Sequence, residues 1–269
     1  ANLSDSCQPI YEEHLNNYKL KNKNIYSIEP NNINDLKNTF NKITLQKQFP
    51  EIFIMEPVMG EGMPGVSISP EFYKEVRRLT KEHNCLLLVD SIQAGFRCNG
   101  CLSIVDYPNF EYVEPPDMES FSKTINGGQY PLSVLALSSD VFNRFKKGLY
   151  GNTMTTNPRA LHIGSTILDN MDFKVKNNII SKGNLLKEEF NKLKDEFKFI
   201  ESVTGTGLLL AIHLDEKYPV SEVELILRQN GLNVIHGGKN AIRFTPWFLI
   251  NDDEINLIIT ILKNTFSKF

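Results

Sequence analysis

Apolar and polar positions along this chain recur at two periods, and the change between them outlines its elements. Over 70–83, Phe72, Val76 and Leu79 return at helical spacing among charged neighbours, which predicts an amphipathic helix with one face turned to a core. Short apolar runs at 51–55 and 85–90, bounded by turn residues, read as buried strands, and 118–122 reads as a third. Strand and helix alternate in this way to about Asp140, the pattern of a largely parallel sheet flanked by helices. Residues 1–50 are rich in Asn and Lys with few apolar anchors, and 31–43 predicts a helix whose Asn-rich entrance suits capping. Two long helices, 158–171 and 177–196, lead out of the first unit. From about Lys198 the periods shorten, with strands expected around 207–212, 233–235 and Ala241–Phe244 and helices at 221–229 and Asp252–Phe266. Asn251-Asp252-Asp253-Glu254 marks the start of the last helix, with acids in its first turn. The expected organisation is an α/β chain with an N-terminal segment over 1–50, a large-domain portion over 51–185 and an α+β small domain over 186–269. No internal repeat is evident.

Composition narrows the classes. With 269 residues, 41% hydrophobic and 23% charged, the chain has the balance of a folded globular protein. A net charge of −3 gives no basic surface for nucleic acid, and no apolar run approaches a membrane span. Ala1-Asn2-Leu3-Ser4-Asp5 shows no charged region followed by an apolar stretch, so a cytoplasmic setting is expected, with organellar targeting left open.

Two residues carry the first chemical signal. Asp90 closes the apolar run at 85–90, and Lys123 follows the strand at 118–122 and precedes the pair Gly127-Gly128. An open α/β sheet presents ligand-binding groups at the carboxyl ends of its strands. A lysine that attacks a carbonyl must lose its proton, which takes desolvation or a cationic neighbour. A carboxylate facing a pyridine nitrogen keeps that nitrogen protonated and makes the ring an electron sink. Taken singly, a surface lysine in a turn and a capping aspartate explain these residues as well.

Four blocks in order change that balance. Glu56-Pro57-Val58-Met59-Gly60-Glu61-Gly62 and Asp90-Ser91-Ile92-Gln93-Ala94-Gly95-Phe96 are followed by Ser122-Lys123 with Gly127-Gly128 and Tyr130-Pro131, then by Gly151-Asn152-Thr153-Met154 with Asn157-Pro158. Across roughly 50–250 the chain resembles the class III aminotransferases, pyridoxal phosphate enzymes of fold type I that include ornithine, acetylornithine and 4-aminobutyrate aminotransferases. The resemblance implies a fold-type I large domain with a C-terminal small domain. It implies that pyridoxal 5'-phosphate is the cofactor, held by Lys123 as a Schiff base, with Asp90 on the pyridinium, Ile92 on one ring face and Gln93 at the phenolic oxygen. Thr153 would reach the cofactor phosphate of a neighbouring subunit, which implies a homodimer. Arg243, in Ala241-Ile242-Arg243-Phe244-Thr245-Pro246, would grip a substrate carboxylate, since a guanidinium fork suits planar bidentate capture. Glu61 would be its switchable partner, pairing with Arg243 for the amine donor and releasing it for the 2-oxo acid. Two surface charges worth about 0–1 kcal/mol are the plainer reading of Arg243 and Glu61.

Departures from the family pattern are Ser91 for its usual glutamate, Thr155-Thr156 for its usual glycines and Thr204 where many members carry arginine before Gly-x-Gly. No upstream segment resembles the small-residue loop that cradles the cofactor phosphate. The resemblance therefore implies an N-terminal half supplied by a separate chain or segment, and leaves open a non-catalytic fragment or relative acting as a binding or assembly component. Cys98-Asn99-Gly100-Cys101 has redox or half-zinc spacing but no second pair completes a site, so reduced incidental thiols are expected, with a redox-sensitive turn as the alternative. His213 and His236 fall in no motif and are expected to be structural.

Overall fold

Four short strands build the first sheet of the computed structural model, which describes residues 25–146, 148, 151, 153 and 155–269. Cys7, Asn152, Met154 and the first part of the predicted 1–50 segment lie outside the described residues. Helix α1 (Ile33–Leu45) begins where the Asn32 side chain accepts from the Asp35 amide, and it buries Leu36, Phe40 and Ile43. Strand β1 (Ile52–Met55) leads to helix α2 (Pro70–Glu82), which is capped by Ser69, has proline at its first position and buries Phe72, Val76 and Leu79. Strands β2 (Leu86–Asp90), β3 (Met118–Phe121) and β4 (Val134–Leu137) follow, in the sheet order β1-β2-β3-β4.

The parallel expectation holds for β1, β2 and β3 and fails for β4, which runs antiparallel to β3. The connection from Phe121 to Val134 holds only the 3₁₀ turn Lys123–Asn126 and no crossover helix, so the chain turns back on itself. Nor does a helix join β2 to β3. That stretch is a hydrogen-bonded loop with one 3₁₀ turn at Ile104–Asp106, which corrects the alternation expected there. Its return is fixed by Asp117, whose carboxylate accepts from Arg77 at 2.7 and 2.9 Å and from the Leu87 amide at 2.8 Å.

Helices α3 (Ser139–Arg144), α4 (Pro158–Asn170) and α5 (Phe173–Glu196) lead to the second unit. Capped by Asp172, α5 begins at Phe173, four residues before the expected start, and the helix runs unbroken through 185 and 186. Strands β5 (Ile200–Thr206), β6 (Leu209–Leu214), β7 (Ile235–Gly237) and β8 (Ala241–Phe244) form an antiparallel sheet of order β5-β6-β8-β7, with helices α6 (Val220–Gln229) and α7 (Asp252–Phe266) packed beside it. Strand β5 was not anticipated, because Ile200-Glu201-Ser202-Val203-Thr204 lacks clean alternation and owes its extended form to pairing with β6. The strand expected at 207–212 begins at Leu209, since Gly207 makes the turn at φ +55. That expected at 233–235 begins at Ile235. The capping box between Asn251 and Glu254 is formed as expected.

One core lies under α1, α2, β1 and β2, built on Phe40, Phe53, Met55, Phe72, Tyr73 and Leu87. The other lies between the second sheet and its helices, around Phe190, Leu210, Ile212, Phe244 and Phe266, and it also takes in Phe96, Phe121 and Ile125 from the first unit. The turn after β2 thus rests on the second sheet. Arg97 Nη1 donates to Pro246 O at 2.6 Å, and the Leu208 amide donates to Arg97 O at 2.9 Å. No helix among the described residues is long and apolar enough to cross a membrane.

Helix α5 approaches this junction so closely that a Cβ on Gly183 would stand 2.2 Å from Gly207 O. Alanine in place of a mid-helix glycine ordinarily stabilises by about 0.5–1 kcal/mol. Here overpacking reverses the sign, and Gly183→Ala is expected to destabilise the chain by about 1–3 kcal/mol in urea unfolding.

Candidate active site

Parallel register brings the chemistry to one edge of the first sheet. Asp90 ends β2 opposite Ser120 on β3. Its carboxylate is buried, and the Ile92 amide at 3.0 Å and the Ser120 hydroxyl at 3.2 Å both donate to Oδ1. No hydrogen bond among the described residues reaches Oδ2, which leaves that oxygen for a ligand donor.

Three residues beyond Ser120, the chain turns sharply. Lys123 opens the 3₁₀ turn Lys123–Asn126 with φ +39, in the left-handed region that an L-residue enters at a cost. Ser122 fixes the entry through its hydroxyl, 2.7 Å from Leu132 O, and Gly127 closes the turn at φ +56. Lys123 is more open to solvent than expected of a buried amine, and its ammonium makes no hydrogen bond or ion pair among the described residues. Partial desolvation still lowers its pKa, opposed by the Glu61 carboxylate and assisted by the charge of Arg243.

The second sheet supplies the cation. Arg243, buried on β8, donates through Nη1 to Gly60 O at 2.5 Å and pairs through the same nitrogen with Glu61. Its Nε is buried and has no partner. Gln93 Nε2 donates to Glu61 Oε1 at 2.6 Å. Burial alone would raise the Glu61 carboxyl, but the hydrogen bonds from Arg243 and Gln93 outweigh it and hold the group below the usual range. A Cβ on Gly60 would lie 2.5 Å from the Gln93 amide carbon, so any side chain there would push Gln93 from its place.

Asp90, Lys123, Gln93, Glu61 and Arg243 therefore surround one place, and Ile92 stands beside Asp90. Thr153 lies exposed in a turn before α4, and no hydrogen bond joins it to them. Nearby Thr156 takes φ +58, so a β-branched residue holds the conformation that glycine would adopt freely. Ser91 donates to Glu119 Oε1 at 2.5 Å, and Ser103 donates to the other oxygen of that buried acid at 2.6 Å.

Glu56 belongs to the first of the four blocks, and its signal in the sequence is that an acid stands directly after the buried strand Ile52–Met55. It is buried, accepts from the Gly60 amide at 2.9 Å and feels the charges of Asp90, Glu61 and Lys123. Burial, reinforced by Asp90 and Glu61, pushes its carboxyl up to about 7. Arg97 is a second cation that the motifs did not mark, and burial pushes it down to about 10.

Cys98 is buried and Cys101 partly so, both as free thiols. Burial pushes the Cys98 thiol up to about 12, and the Cys101 thiol, which donates to Asp106 O at 3.2 Å, is raised as well. His236 pairs with Glu224 at the edge of the second sheet. His213 lies 2.8 Å from the Thr204 hydroxyl.

Comparison with known proteins shows what the chain as a whole is similar to. The family model described as aminotransferase class-III matches residues 4–266. The chain is 29% identical to acetylornithine aminotransferase of Prochlorococcus marinus over 273 residues, which span all of this chain and 63% of that relative. It is 33% identical to the mitochondrial ornithine aminotransferase of Drosophila melanogaster over 215 residues, 79% of this chain and 48% of the relative. The structure of ornithine δ-aminotransferase from Plasmodium falciparum superposes with a TM-score of 0.79 at 26% identity, covering 91% of this chain and 60% of that one. The chain spans about half to two thirds of the length of these relatives.

The raised Glu56 carboxyl has a stability consequence of definite sign. Its protonated form is favoured by folding, so its contribution is complete below pH 4.5 and is lost as pH rises to about 7. Glu56→Gln keeps an acceptor for the Gly60 amide and removes that loss. Urea unfolding is expected to find the variant equal to the parent near pH 4.5 and more stable above pH 7, by about 3 kcal/mol at most.

Proposed function

The chain belongs to the class-III aminotransferase family, and on that premise we propose that it takes part in transfer of an amino group from an ω-amino or amino acid donor to a 2-oxo acid, 2-oxoglutarate in the first instance. The observation that carries the reading is the convergence on one site of an unpartnered lysine, a buried aspartate with an open oxygen and a buried arginine gated by a glutamate. Pyridoxal phosphate, the cofactor of this family, supplies when bound an aldehyde that carries the amino group and a ring that accepts electrons from the substrate.

The donor set fits that group. Asp90 Oδ2 is free to hold the protonated ring nitrogen, and Lys123, free of other partners, offers its amine to the aldehyde. Ile92 lies where it can cover a ring face, and the Gln93 amide is within the same cluster for the phenolic oxygen. Lys123 then serves as the base that moves a proton between substrate carbon and cofactor carbon, a role helped by its lowered pKa. The orphaned Nε of Arg243 is the donor a substrate carboxylate would take up alongside the nitrogen that Glu61 releases. Thr153 is assigned to the cofactor phosphate of a second copy, which makes the working unit a homodimer. Further phosphate contacts belong to segments that the relatives carry beyond the matched length.

The visible absorption spectrum with cofactor added is the direct readout. With pyridoxal phosphate the parent chain is expected to develop a visible absorption band that an ornithine-type amine discharges and 2-oxoglutarate restores. Lys123→Ala should show no such band, and Arg243→Lys should keep the band while raising the KM for the 2-oxo acid about tenfold or more. An unchanged spectrum in Lys123→Ala would remove the assignment.

A further inference from the structure

Glu61 and Gly60 O share one guanidinium nitrogen of Arg243, so Glu61 can release Arg243 only by swinging its side chain while its backbone stays in place. That backbone is held from the second sheet. The Gly238 amide, in the turn between β7 and β8, donates to Glu61 O at 2.7 Å. On β5, Thr204 Oγ1 donates to the buried Pro64 O at 2.7 Å, and His213 Nε2 on β6 lies 2.8 Å from the same hydroxyl. A hydroxyl has one proton to give. With it committed to Pro64, Thr204 is left to accept from His213 in the neutral tautomer that carries its proton on Nε2, and the three groups form a chain that ends on the Glu61 loop.

Packing leaves this loop little freedom. A Cβ on Gly65 would stand 2.7 Å from Thr204 Oγ1, one on Gly237 2.8 Å from Pro64 Cγ and one on Gly238 2.8 Å from Gly62 O. The loop is also closed on itself by the Gly65 amide, which donates to Met59 O at 2.8 Å, and the Val66 amide, which donates to Met63 O at 3.1 Å. Among the described residues, Thr204 is thus the one side-chain hydroxyl that ties the second sheet to the far end of the arch, with the Gly238 amide tying its near end.

We propose that Thr204, acting through Pro64, is a positioning residue that seats Glu61 on Arg243 and thereby sets how readily Arg243 passes to a substrate carboxylate. The inference rests on the gate assigned to Glu61 and Arg243 above. Without the hydroxyl, Pro64 O loses its 2.7 Å donor and keeps only the His213 ring nearby, the arch relaxes and the Glu61 pair weakens. A carboxylate ligand then competes for Arg243 more successfully, while an amine donor, which needs Arg243 masked, does worse. Loss of fold alone would weaken both.

The test uses the full 269-residue chain with glutarate, an unreactive dicarboxylate, as the calorimetric probe, and hydrogen exchange of residues 59–66 as a readout that needs no ligand. Thr204→Val is expected to bind glutarate about three- to tenfold more tightly, the range that one hydrogen bond's net contribution spans. It should also exchange faster over 59–66, and Thr204→Ser should restore both properties. Thr204→Ala serves as a second hydroxyl deletion if the valine variant does not fold. Parent-like affinity and exchange in the deletion variants, with glutarate binding still abolished by Arg243→Ala, would overturn the role of Thr204 alone. Glutarate binding indifferent to Arg243→Ala would overturn the gate itself.

Discussion

Asp90 faces Ser120 across a parallel pair of strands, and the rest of the site depends on that register. Ser120 sends its hydroxyl to Asp90, and three residues later the same strand end delivers Lys123 on a turn at φ +39. A slip of one residue between β2 and β3 would send every side chain to the opposite face and separate the acid from the amine. Asp117 guards against it, because its carboxylate ties the start of β3 both to Arg77 on α2 and to the Leu87 amide on β2. The chemistry at the carboxyl ends of the strands is thus paid for by an ion pair near their other ends.

The second constraint is charge. Glu56, Glu61 and Asp90 bring three acids close together, and Lys123 and Arg243 are the cations that face them. The imbalance is relieved unequally. Glu61 takes Arg243 and stays ionised, whereas Glu56, with only the Gly60 amide as donor, holds its proton up to about 7. Lys123 is left without a partner, the state in which an amine is available to a carbonyl. The arginine comes from the second sheet and the acids from the first, so the docking of the two units is part of the site. Close backbone contacts at Gly183, Gly207 and Gly238 allow that docking, and Arg97 fastens it through Pro246 O.

The elements with clear periodicity were legible from the chain, and those formed by context were not. Helix α2 announced itself through Phe72, Val76 and Leu79, and β1 and β2 through short apolar runs. Strand β5 has no such pattern and exists because β6 pairs with it, and β4 runs antiparallel because its connection to β3 carries no crossover helix. Among site residues, the sequence motifs marked Asp90, Gln93, Lys123, Glu61 and Arg243, and the fold brings these five together. Glu56, Thr204 and His213 stand in the sequence without a marked role, because Glu56 acts through burial and the Gly60 amide, Thr204 through a partner 140 residues away and His213 through Thr204 on the neighbouring strand.

The central claim is that Lys123 is, among the described residues, the amine fitted to an aldehyde cofactor. The most direct measurement is the mass of the chain after incubation with pyridoxal phosphate and reduction with borohydride, followed by peptide mapping. A single pyridoxyl group on the peptide containing Lys123, with labelling suppressed when Asp90 is replaced by alanine, is the predicted result. Labelling spread over exposed lysines such as Lys74 and Lys217, with Lys123 no more reactive than they are, would contradict it.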